Sequence, residues 1–399
     1  MIIKPQIMRG GLVKNPHPIG LKNVVSKYID YTKSKGQFTG KKRALIIGGS
    51  SGYGLASRIA LAYGANADTI NVSFENGVTD KRLGSAGWWN NIWFEHFAKQ
   101  DGLIATDIIG DAFSDEIKQQ TIEAIKREFG GKIDVLIYSL ASPKRKDPKT
   151  GIVHSSVLKS TTGEVAAPTL DLAKERIVDG KMLEATKDDI DETIKVMGGE
   201  DWQLWVEALQ EADLLAEGFK STAYSYDGAK ATDLIYKKGT IGAAKRHLEK
   251  TAHELNDALK NIQGEAFVTV AKALVTKASA FIPLFPLYGC ALFKVMKEEG
   301  THENTIEQIE RFMRDMMYGD KRIVDEVGRV RPDNLEMNPA TQQKVDAIME
   351  IMDNDNFKGI SDFAGFYQDF LEINGFNVEG VDYDKSIDVE YLSSLALNA

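Results

Sequence analysis

Apolar and polar positions along this chain alternate between two periods. Six short apolar runs, residues 44–47, 69–74, 103–109, 133–140, 219–226 and 266–274, have the length and β-branched content of buried parallel strands. Between them the apolar positions fall at helical spacing. They begin with Leu55, Ile59 and Leu61, and continue with Trp88, Trp89, Trp93, Phe94 and Phe97 in a tract, residues 84–101, that reads as core packing. Further helices are expected over 115–129, where acidic residues crowd the first turn, and over 189–196 and 201–215. Residues 227–239 and 242–261 read as two helices around a break. Strands alternating with helices at this pace predict an α/β fold, a parallel sheet with right-handed crossovers whose ligands bind beyond the strand C-termini.

Three additions surround this pattern. Residues 1–40 hold an extended opening piece and a helix at 24–35; residues 144–189 are a polar excursion, read as a hairpin. Residues 301–399 form a C-terminal extension, helical from Glu303 with turns at 322–332, and no internal repeat is visible. A length of 399 residues allows two or three domains, but the expectation is one Rossmann-type unit with its cofactor and catalytic core at 41–300. A net charge of −9 argues against nucleic acid or an anionic membrane as partner. One cysteine, Cys290, excludes a disulfide framework, and six scattered histidines offer no metal motif. The most apolar tract, 278–293, contains Pro283 and Pro286 and is too short and broken to span a bilayer. The N-terminus lacks a signal-peptide core, so a soluble, cytoplasmic protein is expected, and a monomer is the expected assembly, although no residue pattern fixes it.

The chemistry gathers where the first strand ends. Gly48, Gly52 and Gly54, with Gly49, Ser50, Ser51 and Tyr53 among them, join that strand to a helix. Glycines let backbone N–H groups approach a pyrophosphate whose charge the helix N-terminus favours. The GxxxGxG spacing is that of the short-chain dehydrogenase/reductase type of doubly wound sheet. Phe74 and Glu75 end the second strand, where a carboxylate can accept from a ribose 2′-hydroxyl and repel a 2′-phosphate. Asp111, Ala112, Ser139 and Leu140 lie at the same edge, and Leu274, Val275 and Thr276 follow the sixth strand.

Reductases of this fold need a phenol to meet the developing oxyanion and a lysine beside it. Tyr226 and Lys230 have the three-residue gap of short-chain ketoreductases, but Asp227-Gly228 turns the chain between them. Tyr236 and Lys245 have eight residues between them, and nine steps of a regular helix, about 900°, would set them on opposite faces. Gly239 and Gly242 interrupt that helix and can remove the objection. Tyr31 and Lys35, a third pair, are expected at the surface.

Taken in order, Met1-Ile-Ile-Lys-Pro5, the glycine loop, Asp111-Ala-Phe-Ser-Asp-Glu116, Tyr138-Ser-Leu-Ala-Ser-Pro143, Val196-Met-Gly-Gly-Glu-Asp-Trp202, Tyr236 with Lys245, Leu274-Val-Thr276, Leu292-Phe-Lys-Val-Met-Lys297 and the tail from Asp362-Phe to Gly380-Val-Asp-Tyr383 span almost the whole chain. In these the sequence resembles the large V-type trans-2-enoyl-thioester reductases of bacteria, which act on enoyl-CoA or enoyl-acyl-carrier-protein. The resemblance selects Tyr236 as proton donor and Lys245 as a cofactor contact, and implies that Tyr226 touches the substrate thioester. It implies NADH at Gly48–Tyr53, Phe74-Glu75, Asp111-Ala112, Ser139-Leu140, Lys245 and 274–276, and no metal. The activity implied is NADH-dependent reduction of the 2,3 double bond in fatty acid synthesis. An acyl tunnel along 278–293 is expected, with Phe285, Leu287 and Phe293 as lining. The alternatives are a 3-oxoacyl reductase using Tyr226 and Lys230, which would lack the usual upstream serine, and a non-catalytic NAD-binding sensor. Family descriptions associate the C-terminal part with flavin, for which the sequence supplies no motif.

Overall fold

The computed structural model describes residues 1–8 and 13–397. Its centre is a six-stranded sheet of β1 (Arg43–Ile47), β2 (Asp68–Ser73), β3 (Ala105–Ile109), β4 (Ile133–Tyr138), β5 (Leu215–Ser225) and β6 (Glu265–Val270). The strand order is 3-2-1-4-5-6 and every neighbouring pair is parallel. This is the doubly wound arrangement, and the order reverses between β1 and β4. Side-chain alternation divides the core in two. Ala44 and Ile46 of β1, with Val135 and Ile137 of β4, face one apolar cluster; Leu45, Ile47, Leu136 and Tyr138 face the other.

The first cluster receives the helices Pro18–Ser34, Gly52–Ile59, Ala86–Gln100 and Phe285–Glu298. The second receives Asp115–Glu128, Glu200–Glu211 and Thr240–Leu259. The tryptophan helix is core, as expected: Trp89 and Trp93 are buried, and their indole N–H groups donate to the carbonyls of Leu83 (2.7 Å) and Pro18 (2.8 Å). One continuous apolar cluster runs from Ile3 to Val389. The Met1 ammonium donates to the Ile387 carbonyl at 2.6 Å, so the two extensions meet.

Several boundaries move from those expected. Phe74 lies beyond β2 and is 78% exposed, and Leu103 and Ile104 precede β3. Ser139 and Leu140 lie past β4, and β6 ends at Val270, so 271–276 continues as loop. The N-terminal helix begins earlier, at Pro18, because the His17 ring caps it by accepting from the Gly20 N–H at 3.0 Å. The helix expected over 201–215 stops at Glu211, where Asp213 takes a positive φ and frees the chain to enter β5. The helix expected over 227–239 reduces to a 3₁₀ turn, Lys230–Thr232, and one α-turn, Asp233–Tyr236. The excursion is three small antiparallel ladders and not one hairpin: Lys144–Lys146 with Val153–Ser155, Val165–Ala166 with Lys181–Met182, and Thr169–Asp171 with Arg176–Val178. Part of the opening piece, residues 9–12, lies outside the described residues. Among the described residues no helix is long and apolar enough to cross a membrane, and no group of acidic, histidine or cysteine side chains could hold a metal ion.

Candidate active site

The glycines after β1 have separate tasks. Gly48 has φ +87°, and a Cβ there would lie 2.2 Å from the Ser139 carbonyl oxygen, so glycine lets the turns after β1 and β4 close together. A Cβ on Gly54 would lie 2.1 Å from the Gly48 carbonyl oxygen, and this glycine seats the helix on the turn. Gly52 differs. It also has positive φ, but its Cβ would meet only the Thr276 methyl, at 3.4 Å. The helix N-terminus and the loop after β6 therefore face each other across a gap that a single methyl would fill. Ser51, the N-cap, makes no capping bond, which leaves the first-turn N–H groups to an anion.

Other side chains stiffen this edge. The Tyr53 hydroxyl donates to the Lys272 carbonyl at 2.7 Å, and its ring stacks on Tyr224 at 5.4 Å. Thr276 and Ser279 bind each other through backbone N–H and hydroxyl groups, and the Ser279 hydroxyl donates to the Leu274 carbonyl at 2.7 Å. Asp111 accepts from the Phe113 N–H at 3.0 Å, and the Ala112 carbonyl accepts from buried Lys118 and from Trp205, each at 3.1 Å.

Glu75 accepts from the Ser50 hydroxyl at 2.6 Å and from the Ser85 hydroxyl. A Cβ on Gly87 would lie 2.0 Å from Glu75 Oε1, so that glycine makes room for the carboxylate. Ser85, Gly87 and Ser279 were missed from sequence, although Ser85 immediately before the tryptophan helix carried an N-cap signal. Lys81 and Arg82 lie exposed on a small hairpin beyond Glu75.

The two phenols meet. The rings of Tyr226 and Tyr236 pack edge to face, 4.5 Å between centroids. Gly228, at φ +71°, lies in the turn between them, and a Cβ there would come within 2.3 Å of the Thr232 hydroxyl and 3.1–3.2 Å of both rings. Gly239 is extended and starts the helix Thr240–Leu259, and Gly242 packs on the Tyr236 carbonyl. The chain therefore does not run as one helix from Tyr236 to Lys245, and the opposite-face objection lapses. Lys245 donates to the Tyr224 carbonyl at 3.3 Å, and burial lowers its ammonium to about 8. Burial first, then the Glu336 carboxyl, pushes the Tyr236 phenol well above its ordinary range. Lys230 is exposed, whereas the Tyr226 hydroxyl donates to buried Glu336 at 3.0 Å. At the N-terminal helix, the Lys35 ammonium lies 4.9 Å over the Tyr31 ring, and Tyr31 is partly buried. Of the three side chains expected to line a tunnel, Phe285 lies 6.0 Å from Tyr226 between ring centroids. Phe293 packs deeper, against His302 and Phe366.

A family model described as the trans-2-enoyl-CoA reductase catalytic region matches residues 82–318. The chain belongs to this family. The family's NAD(P)H-binding domain matches residues 2–80. The trans-2-enoyl-CoA reductase [NADH] of Clostridium beijerinckii is 51% identical over 99% of this chain and its own full length. The enoyl-[acyl-carrier-protein] reductase [NADH] of Pseudomonas fluorescens is 48% identical over 97% of each chain. The crystal structure of the Clostridium acetobutylicum trans-2-enoyl-CoA reductase in complex with NADH superposes with a TM-score of 0.96 at 48% identity, covering 99% of this chain and 100% of that one.

A third model, named an enoyl reductase FAD-binding domain, matches residues 324–387. The residues there do not fit a flavin. The helix Pro339–Ile351 starts on proline and is capped by the Asn338 side chain, and the helix Phe363–Glu372 is capped by the Asp362 carboxylate. Neither N-terminus is left for a phosphate, and Phe363, Phe366 and Phe370 are buried in the core.

In this family member Gly228→Ala is expected to cost about 1–2 kcal/mol of stability, because the position is left-handed. Turnover should fall further than cofactor affinity, since the new methyl separates the two phenols. Denaturant unfolding and steady-state rates measure the two effects.

Proposed function

We propose that this chain reduces the 2,3 double bond of trans-2-enoyl thioesters with NADH, working as one unit on enoyl-CoA or enoyl-acyl-carrier-protein. The observation that carries the reading is the pair of phenols packed ring to ring beside a dinucleotide cleft, in a chain of this family. Bound NADH supplies a hydride to the β-carbon, which leaves negative charge on the thioester oxygen. Tyr236 is the hydrogen-bond donor for that oxygen and provides the proton that ends on the α-carbon, while Tyr226 packs against Tyr236 beside the thioester. High phenol pKa values keep both side chains protonated at neutral pH. Lys245 holds the nicotinamide ribose. The buried aromatic surroundings exclude water, which strengthens each of these interactions.

Gly48 to Tyr53, Phe74, Glu75, Asp111, Ala112, Ser139, Leu140 and Leu274 to Thr276 form the cofactor site in this reading. The continuous core from Ile3 to Val389 supports a single working unit. The reading extends to a monomer in the cytoplasm, in keeping with its lone, buried cysteine.

Following NADH oxidation with crotonyl-CoA and acetoacetyl-CoA tests the function. Turnover is expected with crotonyl-CoA alone. Turnover with acetoacetyl-CoA alone would make it a ketoreductase, and none with either a sensor.

Glu75→Ser is expected to shift the NADH-to-NADPH ratio of kcat/KM toward NADPH by about tenfold, the low end for two close anions in a solvated cleft. The small size follows from the two serine hydroxyls already bound to the carboxylate. An unchanged ratio would remove Glu75 from the ribose.

A further inference from the structure

Glu336 comes from the C-terminal segment, just after the 3₁₀ turn Pro332–Asn334, yet its side chain is fully buried. Its Oε1 accepts from the Tyr226 hydroxyl at 3.0 Å and from the Tyr288 hydroxyl at 2.8 Å. Its Oε2 accepts from the Ala273 N–H at 2.6 Å. Gln342 completes the cluster, donating to the Tyr288 hydroxyl at 2.9 Å and to the Glu336 carbonyl at 2.7 Å. Lys272, the cation nearest in sequence to this cluster, gives its ammonium to the Ala273 carbonyl at 3.1 Å and lies 4.7 Å over the Phe293 ring. Neutral groups make all the side-chain hydrogen bonds of the carboxyl, with the buried Lys272 charge acting on it through space, an arrangement that desolvates it and that a core needing only stability would fill with apolar side chains.

The geometry singles out Tyr226. A phenol has one proton, and here it points at Glu336, which fixes the hydroxyl and the ring. That ring packs against Tyr236 on one side and Phe285 on another. We propose that Glu336 is a positioning residue for the reduction, anchoring the Tyr226 hydroxyl so that its ring is held against Tyr236 where the thioester sits. This rests on the reading of Tyr226 as the thioester contact. The segment before the cofactor loop has other anchors, since Tyr53 binds the Lys272 carbonyl and Gln308 accepts from the Lys272 N–H at 3.1 Å. Cofactor affinity is therefore expected to depend less on Glu336 than turnover does.

The test is a double-mutant cycle in the full-length enzyme, with crotonyl-CoA and NADH. Glu336→Ala should lower kcat/KM for crotonyl-CoA roughly ten- to hundredfold, the range for losing a hydrogen bond to a charged group. NADH affinity, read by fluorescence titration, should stay within about threefold and doubles as the check on folding. Glu336→Gln, which keeps the shape and a hydrogen bond to Tyr226, should restore activity to within about threefold of wild type. In a Tyr226→Phe background, Glu336→Ala should cost less than about twofold. Equal losses in both backgrounds, or a Gln variant as impaired as the Ala variant, would overturn the proposal. If Glu336→Ala does not bind NADH, Glu336→Asp, drawn back by one methylene, enters the same cycle with the same criteria. A Tyr226→Phe enzyme at wild-type rate would instead sink the role given to Tyr226 itself.

Discussion

Tyr236→Phe is expected to lose about 10²–10⁴-fold in turnover, the usual contribution of a positioned general acid. One hydroxyl is removed while the ring and its packing on Tyr226 remain, so NADH affinity should hardly change. The structure makes the expectation sharper. Tyr236 is only 6% exposed, and among the described residues its hydroxyl has no hydrogen-bond partner, so losing it leaves no protein group unpaired. A variant that unfolds more readily is therefore not expected, and thermal melts should match wild type. Retention of more than about a third of the wild-type rate would exclude Tyr236 as the acid, because even weak general acids contribute more.

Lys245→Met should weaken both NADH binding and turnover, by roughly ten- to hundredfold for a buried charged hydrogen bond. Here pH provides a second handle. Burial sets the ammonium at about 8, below the ordinary lysine value, so the charged form proposed to bind ribose is present at neutral pH and is lost as pH rises through 8. Wild-type NADH affinity should therefore fall on the alkaline side, and the fall should be absent from Lys245→Met. Lys272 is also lowered to about 8 by burial, but its ammonium is held at the Ala273 carbonyl. An alkaline limb that survives in Lys245→Met would assign the titration to Lys272 and remove Lys245 from the ribose. Glu249, which raises the Lys245 value, offers the control: Glu249→Gln should move the limb to lower pH.

The sheet was legible because its strands are buried on both faces. Ala44–Ile47 reads as a strand from composition alone, and its four side chains are fully buried. The glycine loop was legible for a related reason: positions such as Gly48 and Gly54 tolerate no Cβ, and a backbone requirement of that kind appears directly as residue type. The Tyr236–Lys245 pair was harder. Periodicity argued against it, and resemblance chose it. The structure shows why periodicity misled: one helical turn ends at Tyr236 and extended Gly239 starts a separate helix at Thr240, so no single helix links Tyr236 to Lys245.

What the sequence by itself determined is the set of local, periodic or sterically forced features: strand–helix alternation, the glycine turn after β1, and the carboxylate just past β2. What only the tertiary structure decided are contacts between residues far apart in the chain. Glu336 reaches Tyr226 across 110 positions, and Ser85 and Gly87 shape the setting of Glu75. Such contacts leave no periodic trace, because a buried carboxyl is chosen by the donors the fold brings to it and not by its neighbours in sequence.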